Sequence, residues 1–150
     1  MNIPIDNPIK YAKPKDIINI FKSNGEAIVY FGNPECLYCR SAVPVLIDAA
    51  NKNKVEVLYY LDISNQDGYQ ELYDILLDEV LTDGKIEGPL VIFIVNGQIS
   101  GYNKGTVYSH RLPFIKMNDD MTEGLYRIYE SGIKDVMEIM KIKEDQVAMQ

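Results

Sequence analysis

Residues 27–44 read Ala27-Ile-Val-Tyr-Phe-Gly-Asn-Pro-Glu-Cys-Leu-Tyr-Cys-Arg-Ser-Ala-Val-Pro44. The first five form a continuous apolar run, which is typical of a central strand covered on both faces. The stretch from Gly32 to Glu35 then turns the chain, and a helix is predicted from Cys36 to Asn51. Cys36 and Cys39, the only two cysteines of the chain, therefore stand where a helix opens directly after a buried strand.

The rest of the chain alternates between helix and strand patterns. Helices are predicted at 14–23 and 69–80 and from Thr122 onward, and strands at 55–61, 89–95 and 98–102, with an added strand expected in 2–9. Asn96-Gly97 predicts a tight hairpin. The last helix has an apolar stripe, which Gly132 interrupts at a cost of up to about 1 kcal/mol relative to Ala. The stripe consists of Leu125, Ile128, Tyr129, Ile133, Val136, Met137 and Met140. This order predicts an α/β fold of three layers, with a mixed sheet between helices, in a single domain over residues 1–150.

The C-x-x-C spacing has a clear use at a helix N-terminus. Unpaired backbone N–H groups and the helix dipole favour the thiolate of Cys36, which makes it a nucleophile. Cys39 lies one helical turn later, so it can resolve a mixed disulfide formed at Cys36. The same spacing also supplies half of the ligands of a zinc site, but the chain offers only His110 in addition. A further alternative is a purely structural pair of buried cysteines. The strand-to-helix position favours redox chemistry, with no metal or organic cofactor.

With these motifs in place, the quoted stretch resembles the active-site segment of the thioredoxin family. Arg40 stands where that family usually has a basic residue, and Pro44 matches the proline that kinks the active-site helix. Gly88-Pro89, just before a buried strand and its hairpin, matches the family's cis-proline. The resemblance covers about residues 14–142 and implies a thioredoxin-like fold.

The resemblance also implies roles for individual residues. Cys36 and Cys39 are the expected catalytic pair. Substrate binding is expected at Gly88, Pro89, Gly105 and Tyr38, and modulation of the cysteines at Glu35, Arg40 and Pro44. The proline turn packs against the C-x-x-C in this family, and the residue before it pairs with the extended chain of the substrate. Gly88 has no side chain, which predicts less selective contact with partners.

Three departures from the family pattern stand out. The chain has no Trp, and Tyr30 and Leu58 occupy the positions of a buried Asp and its partner Lys. Without that carboxylate, slow turnover is expected. A segment of roughly a dozen residues, 107–118, is added before the last helix. It predicts either a packed surface loop, in which His110 is a loop histidine, or a flap that selects partners at the edge of the site.

The 15 Lys and Arg against 22 Asp and Glu leave a net charge of −7. This charge argues against nucleic acid and anionic membranes as partners. No apolar run approaches the roughly 18 residues of a membrane span, and the N-terminus carries no signal-peptide pattern, which predicts a cytosolic protein.

The sequence therefore predicts a reductase of protein disulfides, supplied with electrons by an unidentified thiol reductant or reductase. The alternative is an interaction protein of thioredoxin fold whose redox activity is vestigial. The chain's similarity to bacterial bacteriocin-transport accessory proteins is in keeping with that alternative.

Overall fold

A five-stranded mixed sheet lies at the centre of the computed structural model, which describes residues 7–77, 80, 86–107, 109–112 and 115–148. The strands are β1 (Ile9–Tyr11), β2 (Ala27–Gly32), β3 (Leu58–Asp62), β4 (Leu90–Val95) and β5 (Gln98–Lys104). Their order across the sheet is β1-β3-β2-β4-β5. The first three are mutually parallel, whereas β4 runs antiparallel to both β2 and β5.

Helices cover both faces of this sheet. They are α1 (Pro14–Lys22), α2 (Leu37–Lys52), α3 (Gln70–Leu76) and α4 (Asp119–Ala148). Successive residues of a strand point to opposite faces, so Val29 and Phe31 of β2 pack with α1 and α3. Ile28 and Tyr30 pack on the other face with α2 and α4. The α/β fold of three layers predicted from the sequence is confirmed.

The sequence prediction was wrong at the start of two elements. Strand β3 begins at Leu58 rather than at Val55, because the chain is still closing the end of α2. Lys54 has a left-handed φ of 58°, and the Val55 N–H donates to Ala50 O at 2.9 Å. Helix α4 begins at Asp119, so Thr122 is not its cap.

Asn118 performs the capping instead. Its Oδ1 accepts the backbone N–H of Met121 at 2.8 Å, which satisfies one of the donors that a helix start leaves unpaired.

Two predicted elements extend into residues that the structure does not describe. Of the predicted helix over 69–80, Gln70–Leu76 is helical. Residues 78–79, and 81–85 beyond that helix, lie outside the described residues. The strand expected in 2–9 shares only Ile9 with β1, which continues to Tyr11 instead; residues 1–6 lie outside the described part.

The buried stripe of α4 is narrower than the sequence predicted. Leu125, Tyr129, Ile133 and Val136 are buried. Ile128 and Met140 were assigned to that stripe wrongly, because they are 39% and 38% exposed and lie beside its edge. Although α4 has 30 residues, no described helix is long and apolar enough to cross a membrane.

Gly132 has a packing role that the helix pattern does not reveal. A Cβ at this position would collide with three ring atoms of Phe93 in β4. The missing side chain thus lets α4 lie directly against the ring of a buried phenylalanine.

Candidate redox site

Cys36 and Cys39 lie at disulfide distance, with their Cα atoms 5.2 Å apart. Cys36 is the N-cap of α2, and its sulfur accepts the backbone N–H of Cys39 at 3.2 Å. Cys39 lies in the first turn and is 1% exposed, whereas Cys36 is only partly buried. The two sulfurs are therefore unequal, because solvent reaches one of them more easily than the other.

Asn33 shapes the loop that presents these cysteines. Its side-chain oxygen accepts the Glu35 N–H at 2.9 Å, and its carbonyl accepts the Cys36 N–H at 3.2 Å. Sequence reasoning missed this residue, although Asn before Pro favours such a turn. Asn33 and Pro34 also line a cavity of about 300 Å³ together with Cys36, Cys39 and Arg40.

The turn before β4 packs against the buried cysteine. The Gly88–Pro89 peptide bond is cis. A Cβ on Gly88 would lie 2.9 Å from Gly32 Cα and 3.4 Å from Cys39 Sγ. A side chain here would thus point into the protein rather than toward a partner, so close packing accounts for the glycine. Gly105 lies beside the same turn, because its N–H donates to Pro89 O at 2.8 Å.

Tyr38 connects the C-x-x-C to the added segment. Its hydroxyl donates to Arg111 O at 2.6 Å, and its ring meets the His110 ring edge-on at 5.3 Å. His110 is buried and lies within hydrogen-bond distance of Thr106 Oγ1, at 2.7 Å, and of Ile115 O, at 2.6 Å. The described part of the segment is therefore a packed loop at the edge of the redox site.

Tyr30 and Leu58, which the resemblance sets at the positions of an Asp and a Lys, are both uncharged side chains. Tyr30 is 3% exposed, and its ring stacks on that of Tyr60 with 5.2 Å between centroids. Burial raises the pKa of Tyr30 above its ordinary value and that of Tyr60 to about 12, so both phenols are neutral at physiological pH. Leu58 is fully buried.

The three residues predicted to modulate the cysteines lie at the surface. Glu35, Arg40 and Pro44 are all exposed. Pro44 lies inside α2, where it has no N–H to donate to the carbonyl of Arg40. Among the described residues, no group of three or more His, Cys, Asp or Glu side chains is placed to hold a metal ion.

Solved thioredoxin structures share this architecture. Thioredoxin from Trypanosoma brucei brucei aligns with a TM-score of 0.53 and 14% sequence identity, covering 92% of this chain and 99% of that one. Malassezia sympodialis thioredoxin aligns with a TM-score of 0.51 and 14% identity, covering 86% of this chain and 97% of that one. No protein-family model and no curated protein matches the sequence. The chain thus has the thioredoxin fold, with a cysteine pair of C-x-x-C spacing at the start of α2.

Proposed function

We propose that this protein is a thiol–disulfide oxidoreductase that reduces disulfides in other proteins. The observation that supports this function best is the inequality of the two cysteines. Cys36 caps a helix and is partly accessible, whereas Cys39 is buried one turn behind it. A nucleophile must meet its substrate, but a resolving thiol needs to reach only the nucleophile.

The reaction has two exchange steps. In the first, the Cys36 thiolate attacks one sulfur of the substrate disulfide; a Cys36–substrate bond forms, and the other substrate sulfur leaves as a thiolate that takes a proton from water. In the second, Cys39 loses its proton and attacks the Cys36 sulfur. This step forms the Cys36–Cys39 bond and releases the second substrate thiolate, which water protonates. The substrate gains two electrons and the protein loses two.

The surroundings favour an extended protein segment as substrate. Gly88 offers backbone groups beside the cysteines, and Gly105 lies next to the same turn. Leu37 and Leu112 are exposed and adjoin the hydrogen bond between Tyr38 and Arg111. Apolar residues beside the substrate disulfide are therefore expected to improve binding. The described part of the added segment, which the bond from Tyr38 to Arg111 holds beside the cysteines, takes part in selecting that substrate.

We place this activity in a reducing compartment such as the cytosol. There the thiol pool keeps dithiols reduced, so the pair is regenerated by a small thiol or a reductase. A net charge of −7 disfavours nucleic acid as a partner.

Trapping with single-cysteine variants tests the proposal. Cys39→Ser should accumulate a mixed disulfide with a protein substrate, because the first step proceeds and the second is blocked. Cys36→Ser should trap none and should lose disulfide reduction. The two variants are matched, since each removes one sulfur of the same pair.

The alternative function is that of an interaction protein. It is favoured by the observation that, among the residues the structure describes, no buried carboxylate lies beside Cys39. If Cys36→Ser keeps the biological activity of the wild-type protein, and no mixed disulfide forms with Cys39→Ser, the interaction protein becomes the better account.

A further inference from the structure

A second cavity adjoins the loop that presents the cysteines. It measures about 320 Å³, which is within the size range of sites for small ligands. Asn33 and Pro34 line this cavity, and they also line the cavity that borders Cys36 and Cys39. The two spaces therefore meet at one loop.

Three tyrosine rings, those of Tyr11, Tyr30 and Tyr60, line this space, which we call the tyrosine cavity. Tyr11 meets Tyr60 edge-on, with 5.2 Å between the ring centroids and 84° between the ring planes. Tyr11 is also 79% exposed, so the cavity opens to solvent at the edge of the sheet. A further ring that enters can stack on one tyrosine and meet another edge-on, which are the two arrangements that aromatic pairs prefer.

The described lining of the tyrosine cavity carries no charged side chain. Besides the phenols it consists of apolar side chains and two amides, which belong to Ile9, Pro34, Val43, Asn7 and Asn33. A cation would lose its hydration here without a carboxylate to offset the loss, and an anion would meet no cationic group. The lining therefore favours an uncharged aromatic ring.

The distance from the nucleophile decides which part of a substrate can reach this cavity. Pro34 lies two residues before Cys36, and the Asn33 carbonyl accepts the Cys36 N–H at 3.2 Å. The cavity therefore begins within about 7 Å of Cys36, since two residues of chain span no more than that. In an extended substrate, residues two positions apart are also about 7 Å apart, and their side chains point to the same face.

We infer that the tyrosine cavity is a specificity subsite for an aromatic side chain of the protein substrate, two residues from the cysteine that Cys36 attacks. This inference rests on the proposed function, because it names a feature of the substrate of that reaction. Aromatic pairs stabilise a complex beyond the area that they bury, so an aromatic ring should be preferred to a saturated ring of similar size by roughly two- to tenfold.

The test uses disulfide-linked dimers of a short peptide with one cysteine. The position two residues before or two residues after that cysteine holds Phe, cyclohexylalanine or Lys. Cyclohexylalanine has nearly the size of Phe but no π-system. Mass spectrometry gives the second-order rate constant with which the reduced protein reduces each dimer.

We expect wild type to reduce the Phe dimer roughly two- to tenfold faster than the cyclohexylalanine dimer in one of the two registers. Tyr11→Ala should bring this ratio close to one. Tyr102→Ala is the matched control and should keep the wild-type ratio, because Tyr102 is 46% exposed on the opposite edge strand, β5, and lines a different cavity.

Three results would overturn the inference. The first is equal rates for the Phe and cyclohexylalanine dimers in wild type. The second is a preference for Phe that Tyr11→Ala leaves unchanged, since the ring would then bind elsewhere. The third is a preference for Lys over Phe that Tyr11→Ala abolishes, which would indicate a site for cations.

A second measurement needs no redox activity. The oxidised wild-type protein is titrated with N-acetylphenylalanine amide, and the NMR signals of the Tyr11 and Tyr60 rings should shift while those of Tyr102 do not. If wild type reduces none of the dimers, the proposed function fails. If it reduces all of them but the Tyr11 and Tyr60 signals do not shift, only the subsite is overturned.

Discussion

Replacing Gly132 by Ala should destabilise the protein, although the helix pattern alone predicts the opposite. In an exposed helix interior this change gains up to about 1 kcal/mol of unfolding free energy. Here the added methyl group would overlap three ring atoms of Phe93. Overpacking of a core costs about 1–3 kcal/mol, and Phe93 is buried between β4 and α4. The net change is a loss of about 1 kcal/mol.

Gly124→Ala is the matched control in the same helix. Its Cβ would meet Val107 Cγ1 at 3.7 Å, which is ordinary van der Waals contact. This variant should therefore be stabilised by up to about 1 kcal/mol. In thermal unfolding of a domain this size, 1 kcal/mol shifts the midpoint by about 2–4 °C. The two variants should move in opposite directions, and a higher midpoint for Gly132→Ala would refute the packing argument.

Four further outcomes are expected. Tyr38→Phe removes the hydrogen bond to Arg111 O. Because one such bond contributes about 0.5–1.5 kcal/mol to the stability of the closed loop, amide exchange in 109–112 should accelerate by roughly two- to tenfold. Asn118→Ala should cost about 1 kcal/mol in denaturant unfolding, because the cap is lost, whereas Thr122→Ala should cost less. Stability should fall as pH rises from 10.0 to about 12, since the unfolded chain ionises at Tyr60 before the folded one does; denaturant midpoints across that range would check this. The reduction potential of the cysteine pair, measured by alkylation and mass spectrometry in glutathione buffers, should lie nearer to roughly −270 mV than to −120 mV if the protein is a reductase.

Local patterns in the sequence predict most of the fold. The buried run of β2, the hairpin at Asn96-Gly97 and the helix that follows Cys36 are short-range signals, and the structure has all three. The start of β3 could not be found this way, because Val55 looks like a strand residue yet closes the end of α2. The packing of Gly132 against Phe93 joins residues far apart in the chain, so no local pattern contains it.

The same contrast between local sequence signals and long-range contacts applies to the candidate site. The cysteine pair and the proline turn are visible as motifs, whereas the bond from Tyr38 to Arg111 spans 73 residues and depends on the tertiary fold. Asn33 lies between these cases. Its turn is local and could have been predicted from Asn-Pro, but its place in the lining of the cavity beside Cys36 and Cys39 could not.

The unusual residues behind Cys39 form one packing unit. A phenol at position 30 is longer than a carboxylate, so its oxygen extends over position 32, where only glycine leaves room. Gly88 then approaches Gly32 closely enough that it too has no space for a Cβ. A neutral phenol also needs no cation, and a Lys in place of Leu58 would leave an unpaired charge in a fully buried position. The neutral phenol at position 30 and the uncharged side chain at position 58 are therefore compatible with each other, and Tyr30→Asp alone would bury a charge without a partner.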